Sequence, residues 1–492
     1  MRRIGLSTAL LLSFSAGGCS CDEASPVGDG AAEGDQGTIL GDASGSDVGG
    51  RADAAGADGA DGAGGDAGSR LEYCSGMGPP IIISDPGMVT TTCTGQLAQT
   101  TFRYALCSCE DLTLSSRFET DAFDSRTGPY NGVGRPGGAV GTNGLYEGSS
   151  TSSIGGSLWV GGSGTTTISS VQWVSGELHL ASSLESRSAL SVSRDAWIAG
   201  DVSAAQLTVR GTLHVPSGRT LDAPGAQLGG LARVPVSVPP PCACAPSDLV
   251  DIASFVSYYR THNDNADIGL DPDVLTDVQT STIIELPCGR FYLSGIDTRV
   301  EVTIRITGRT ALFIGGDVVT SSRLSVVLAP GAEVDVFIGG LLDASSELEL
   351  GSQDAPAKAR LYLGGSGIIT LSSTSLIGGN FYAPRAEVRF SSRVEIFGSL
   401  FARRVTASSE LTIHYDVAVL TAGEMCNPPG PGVDGGPGAD AGPPPDAGPM
   451  MCGSCLECGN QACVGGACGA CTDSSECCSP LVCQNGSCVP IF

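Results

Sequence analysis

Short apolar runs ending in a glycine pair recur through residues 301–423. They read Ala-Leu-Phe-Ile-Gly-Gly at 311–316, Val-Asp-Val-Phe-Ile-Gly-Gly at 334–340 and Arg-Leu-Tyr-Leu-Gly-Gly at 360–365. Leu-Ile-Gly-Gly-Asn-Phe-Tyr follows at 376–382 and Ile-Phe-Gly-Ser-Leu-Phe at 396–401. Ser pairs fall between them at 321–322, 345–346, 372–373, 391–392 and 408–409, spaced by 24, 27, 19 and 17 residues. Alternating strands at such a spacing predict an all-β protein whose body is a β-solenoid, or β-helix. One coil cannot bury its apolar side alone; stacking coils about 4.8 Å apart pairs their backbones and closes a continuous core. The uneven spacing also fits an all-β sandwich.

Residues 151–232 repeat the pattern more loosely, with Ser-Leu-Trp-Val-Gly-Gly at 157–162, Glu-Leu-His-Leu at 177–180, Ala-Trp-Ile-Ala-Gly-Asp-Val at 196–202 and Gly-Thr-Leu-His-Val at 211–215. Trp159, Trp173 and Trp197 all lie here. Alternation places them inside a wide coil, the favoured reading, or in an exposed row able to stack on sugars. Between the two segments, after Pro239-Pro-Pro-Cys-Ala-Cys-Ala-Pro246, the residues Leu249, Ile252, Val256 and Tyr259 fall at helical spacing, with Ser247 as the expected N-cap. This reads as an insertion, or a cap over the solenoid that shields its strand edges.

These patterns divide the chain into a signal peptide at 1–18, an anchor and acidic Gly/Ala/Asp linker at 19–70, and a Cys-containing region at 71–130. A first solenoid segment at 131–236, the Pro/Cys insertion with its helix at 237–300 and a second solenoid segment at 301–426 follow. A Pro/Gly/Asp linker at 427–450 leads to a disulfide-rich module at 451–492. The linkers hold too few large apolar side chains to offset the entropy of ordering, so both are expected to be spacers.

Phe381-Tyr-Ala-Pro-Arg-Ala-Glu-Val-Arg-Phe390, Phe397-Gly-Ser-Leu-Phe-Ala402 and Ile413-His-Tyr-Asp416 resemble a bacterial domain of unknown function found on exported and pilus-associated proteins. The resemblance covers about 301–423 and implies a right-handed β-solenoid with no assigned reaction. Gly-Asp-Val turns at 200–202 and 316–318 are similar in style to bactofilin-type polymerising β-helices. At the N-terminus, Arg2 and Arg3 precede an apolar run too short to span a bilayer. Ala16, Gly17 and Gly18 before Cys19 then resemble the lipobox of bacterial lipoproteins. That resemblance implies lipidation of Cys19 and, with Ser20 rather than Asp following, outer-membrane sorting.

Composition narrows the function classes. The net charge of −26 opposes a nucleic-acid partner, which needs a basic face. Twenty cysteines oppose a reducing compartment. Cys19 and Cys21 sit at the anchor, and the rest fall into two even groups. Cys74, Cys93, Cys107, Cys109, Cys242, Cys244, Cys288 and Cys426 belong to the body; Cys452, Cys455, Cys458, Cys463, Cys468, Cys471, Cys477, Cys478, Cys483 and Cys488 to the tail. All are disulfide candidates, with connectivity open. The Cys-x-Cys pairs 107/109 and 242/244 lack zinc-ribbon spacing. Cys452-x2-Cys455-x2-Cys458 has the look of a metal or iron–sulfur site, against which the exported setting weighs. The run Cys463-x7-Cys471-x5-Cys477-Cys478-x4-Cys483-x4-Cys488 resembles the framework of knottin and dickkopf-like modules.

No catalytic or cofactor motif stands out. Gly132-Val-Gly-Arg-Pro-Gly137 matches a dinucleotide fingerprint in letters only, because Pro136 interrupts it and no helix opens after it. Asp264, Asp267, Asp271 and Asp273 are hard oxygen donors suited to Ca²⁺, but Ile268 and Val274 break the EF-hand pattern. His179, His214, His262 and His414 are scattered. The expected protein is a lipid-anchored surface protein with a structural, adhesive or display role, no cofactor, and a polysaccharide or protein surface as partner. The alternatives are a β-helical polysaccharide lyase or hydrolase and a self-polymerising scaffold; the sequence leaves the oligomeric state open.

Overall fold

The computed structural model describes residues 70–75, 81–85, 88–92, 94–344, 346–371, 375–422, 462–464, 467–477, 481–484 and 487–490. The expected signal peptide, Cys19 and both linkers lie outside these residues, as do Cys93, Cys426, Cys452, Cys455, Cys458 and Cys478 and the side chains of Cys463 and Cys468.

Parallel strands wind into a β-solenoid of about fourteen turns. Each turn has three sides. One side stacks Thr282–Leu286 on Val302–Ile306, the next Gly289–Leu293 on Arg309–Ile314, and the third Ile296–Thr298 on Val318–Thr320. Inward columns of Leu, Ile and Val are almost fully buried from Leu106 to Ile413. The winding includes 106–123, upstream of residue 131, and 282–298, upstream of residue 301.

The stack does not follow chain order. Leu106–Ser108 lies on residues 400–402, Leu112–Leu114 on 405–407, and Phe118–Phe123 on Leu411–Asp416. The chain therefore enters the solenoid at its middle and winds out to Gln227–Ala232. It returns along the outside through 233–281, restarts at the opposite end, and winds back until its last turn meets its first. Two halves of the same strand direction and winding sense advance the same way along the axis, so the second can begin where the first ends or end where the first begins; this chain takes the second course.

Corner residues follow a stacking rule. The Asp317 carboxylate accepts the N–H of Leu341 at 2.7 Å, and that of Asp195 accepts the N–H of Thr212 at 2.7 Å. A Cβ on Gly340 would sit 2.3 Å from the Asp317 carboxylate, and one on Gly211 2.0 Å from that of Asp195. The Asp317 and Asp195 corners thus hold Gly340 and Gly211, while a Cβ on Gly162, Gly316 or Gly365 would meet a carbonyl oxygen of the preceding turn at 2.4, 2.7 and 2.0 Å, so close stacking of the coils keeps the second glycine of these pairs. Gly340→Ala is expected to cost about 1–3 kcal/mol by overpacking, read from denaturant unfolding. Asp317→Ala in the same chain relieves part of that clash.

Among the described residues four helices accompany the strands: α1 (Arg70–Cys74), α2 (Thr94–Thr101), α3 (Ile252–Tyr259) and α4 (Asn265–Ile268). Helix α3 carries the buried Ile252, Val256 and Tyr259 read from the sequence, together with Phe255. Its N-cap is Asp251, which accepts the Ser254 N–H at 3.1 Å, not Ser247, whose hydroxyl bonds Asp248. Nor does the helix cap an end. It lies on a side, with Tyr259 stacked on Phe313 at 4.0 Å and Ile252 against Gly364.

The cap is the segment 264–278. Leu275 and Val278 are buried beneath it, and Leu275 and Pro272 carbonyls accept N–H groups of Asp297 and Ser294 from the first turn. Among the described residues three disulfides fasten the outer segments: Cys74–Cys288 ties α1 to the first turn, and Cys107–Cys242 and Cys109–Cys244 tie the return strap to the middle one. In the tail, Cys471–Cys483 and Cys477–Cys488 interleave around a small core of Ala462, Cys471, Cys477 and Cys488.

Candidate functional site: the outer ring ladder and the seam

One outward column runs the length of the solenoid. Register aligns Tyr292, Phe313, Phe337, Tyr362, Tyr382 and Phe401 in the half at 282–416. It continues through Cys107 and Gly141 into Trp159, His179, Trp197 and His214. The first six rings are covered, by Tyr259 and Phe255 of α3 and by Phe102 against Tyr362. Over Gly141 the cover is the strap, where a Cβ would meet Pro241, Cys107 and Tyr104 at 3.2 Å.

The last four rings stack on one another. Centroids of Trp159, His179, Trp197 and His214 are 3.4, 4.5 and 4.9 Å apart, with planes within 8, 7 and 4° of parallel. None of the three tryptophans fills the coil interior, because alternation puts the middle residue of each three-residue strand outside. Trp159 and Trp197 are half-buried in the ladder, and Trp173 is 46% exposed on another side. The ladder is not a sugar platform either. Stacking on a sugar needs an open ring face, and here ring faces are spent on neighbouring rings, leaving edges outward. Burial lowers the His179 pKa, so its ring is neutral between the two indoles, while Nε2 donates to Glu177 at 3.0 Å.

Beside the covered rings lies a buried ionic column. The Arg360 guanidinium, 1% exposed, donates to both Asp335 oxygens at 2.6 and 2.9 Å, to the Ala357 carbonyl at 2.8 Å and to Glu333 at 3.4 Å. Arg290 pairs with Asp264 at 3.1 Å, and Arg290 and Arg309 both lie over the Tyr73 ring. Asp264, one of the Ca²⁺ candidates, is thereby committed to an arginine. Asp273 accepts the Ser294 hydroxyl, Asp271 accepts the Asp273 N–H at 3.0 Å, and Asp267 is exposed. The four carboxylates belong to the end cap and do not converge. Among the described residues the one trio of metal-type ligands within 4.8 Å is Cys471, Cys477 and Cys488, all held in disulfides.

The seam between the halves explains the His-Tyr-Asp signature. His414 Nδ1 bonds Asp121 at 2.7 Å and Nε2 bonds Glu395 at 2.9 Å, linking three successive turns. Tyr130 packs over the imidazole at 4.1 Å and donates to the second Asp121 oxygen at 2.8 Å. Tyr415 donates to the Phe102 carbonyl at 2.7 Å. Asp416 accepts N–H groups from Ser125, Ala357 and Ala418. In the Gly-Ser-Leu element, Gly398 has φ +130° and a Cβ there would lie 2.2 Å from the Gly379 carbonyl, while Ser399 bonds Asn380 at 2.9 Å. These signature residues position turns.

Chemically, His414 is a clamp. A general base needs a ring nitrogen free for substrate, and both are taken by carboxylates. Burial alone would lower its pKa, but the bonds and charges of Asp121 and Glu395 outweigh burial and raise it. A pKa raised on folding stabilises the fold below the unfolded value, about 6.5. That contribution is lost as pH rises through the folded value. The stability gap between the natural chain and His414→Gln is therefore expected to be widest below pH 6 and to narrow toward alkaline pH, read from melting temperatures across pH. A gap that widens with pH would contradict the clamp.

One void of about 20 Å³ in the core is lined by aliphatic residues, among them Ile304, Leu312, Val336 and Leu350. The histidines and tryptophans are plain in the sequence but their alignment is not; the steps of 20, 18 and 17 residues from 159 to 214 are the one signal of it. No curated protein and no solved structure matches the chain. Residues 245–421, comprising α3, the end cap and the half at 282–416, match a family described as a domain of unknown function, DUF7305.

Proposed function

We propose that this chain is an exported lipoprotein, anchored through Cys19, whose solenoid is a stiff, non-catalytic stalk that displays the disulfide-rich tail at the cell surface. One observation carries the reading: the outer groups that look chemical are spent on the fold itself. The ring ladder stacks on itself, Asp264 and Asp335 hold arginines, and His414 holds two carboxylates. A stalk needs such internal satisfaction, whereas a polysaccharide lyase or hydrolase needs convergent carboxylates left free for substrate. Its partner is a polysaccharide or protein surface, met by the tail or an outer side.

The test is the full chain and its Cys19→Ser variant in a lipoprotein-sorting bacterial host. Anti-tail antibody is expected to label intact cells carrying the natural chain. With Cys19→Ser, the protein is expected to leave the membrane fraction. Labelling only after lysis, or membrane retention of the variant, would overturn the anchored display role. Release of reducing ends or unsaturated sugars from a polysaccharide panel, abolished by one Asp→Asn change, would overturn the non-catalytic part.

A further inference from the structure

We propose that the open end of the solenoid, at 221–232, docks the same end of a second copy of this chain, forming a two-fold dimer. The inference does not depend on the anchor or the tail.

The last turn is built like the others, but among the described residues no segment covers it. Its core-column residues Leu221, Leu228 and Leu231 register with Val202, Val209 and Leu213 of the turn beneath. Those three are at most 1% exposed. Leu221 and Leu228 are only half-buried, and Leu231 is 49% exposed, with Val234 at 40% beside it. The strand Gln227–Ala232 also pairs on one edge alone, through residues 208–214. An unpaired edge beside an apolar floor is a template for another strand, which natural proteins otherwise blunt with a cap or charge.

The opposite end is covered on two of its three sides by the segment 264–278, through Asp264 on Arg290, Pro272 on Ser294 and Leu275 on Asp297, while Thr282–Leu286 keeps one edge unpaired. Head-to-tail stacking, which would build a fibre, has to seat on that covered end at every contact. Pairing of like open ends is isologous and stops at two. Several features fit a second copy. A two-fold axis across the contact sets the unpaired edge of Gln227–Ala232 antiparallel to its own copy, a pairing that such an edge can make. Gly229 and Gly230 put no side chains between Leu228 and Leu231, so backbones approach closely. The rim carries both signs, Arg219 and Arg233 beside Asp201 and Asp222, with Arg219 3.8 Å from Asp201. A two-fold axis can set such a rim against its own complement. One turn's section is small beside the roughly 800 Å² per partner of a stable complex, so the dimer is concentration-dependent.

The test is sedimentation velocity of the full-length Cys19→Ser chain from roughly 10 μM to 1 mM. The expected result is a shift from monomer to dimer and no further. Leu231→Asp is expected to stay monomeric at the highest concentration with an unchanged melting temperature. Val234→Asp, at an equally exposed site, is expected to weaken the dimer at least tenfold and guards against misfolding of the first variant. A monomer throughout, species larger than two, or a dimer indifferent to both substitutions would overturn the proposal.

Discussion

Replacing Arg360 by leucine is expected to destabilise the body by about 3–5 kcal/mol. The loss comes from what remains. Asp335 is 3% exposed and receives two hydrogen bonds from Arg360. Without the guanidinium it is an unpaired carboxylate under the covering layer. The Ala357 carbonyl loses its donor as well. The double variant Arg360→Leu, Asp335→Leu removes both charges and is expected to recover most of the loss, because a buried ion pair does little better than an apolar pair of similar volume. Denaturant unfolding of the three chains checks this. A single-variant loss below about 1 kcal/mol, or a double variant no better than the single, would show that the column is solvated.

The second large effect belongs to the strap. Cys107–Cys242 and Cys109–Cys244 each close a loop across 135 positions of sequence. Removing both by Cys→Ala is expected to cost about 4–5 kcal/mol by the loop-entropy relation. Removing either alone is expected to cost far less. The remaining bond sits two residues away and closes almost the same loop, so the two overlap rather than add. Unfolding of the two single-bridge variants and the variant lacking both separates these outcomes. Single losses that sum to the double loss would show independent action.

Much of the fold was legible because burial imposes short periods. The run Val334–Ile338 and its relatives announced coils, and the spacing of Ile252, Val256 and Tyr259 announced α3. The cap slipped from Asp251 to Ser247 because both residues offer a side-chain oxygen before the same apolar stripe. The order of the turns was not legible. Every turn presents similar apolar columns and parallel edges, so pattern alone lets any turn sit on any other. The order shows only in contacts between groups far apart in sequence, such as Glu110 receiving Arg403 at 2.8 Å and Arg404 at 2.9 Å. The Asp-rich segment offered carboxylates suited to Ca²⁺ without an EF-hand pattern, and their partners were not legible for a related reason. Its carboxylates are chosen by Arg290 and Ser294, partners that only the cap brings near. The His-Tyr-Asp signature was visible as a pattern, but its role needs Asp121, which lies 293 residues before His414.

The central claim is that the two halves form one solenoid in swapped order, joined where 400–416 meets 106–123. Thr113 and Thr406 are stacked partners across that seam, both at outward positions. Adjacent turns lie about 4.8 Å apart, inside the reach of a disulfide. Thr113→Cys with Thr406→Cys, oxidised and mapped as peptides by non-reducing mass spectrometry, should give one intramolecular bridge between positions 113 and 406. Two thiols that stay free in the folded, oxidised chain would contradict the swapped order.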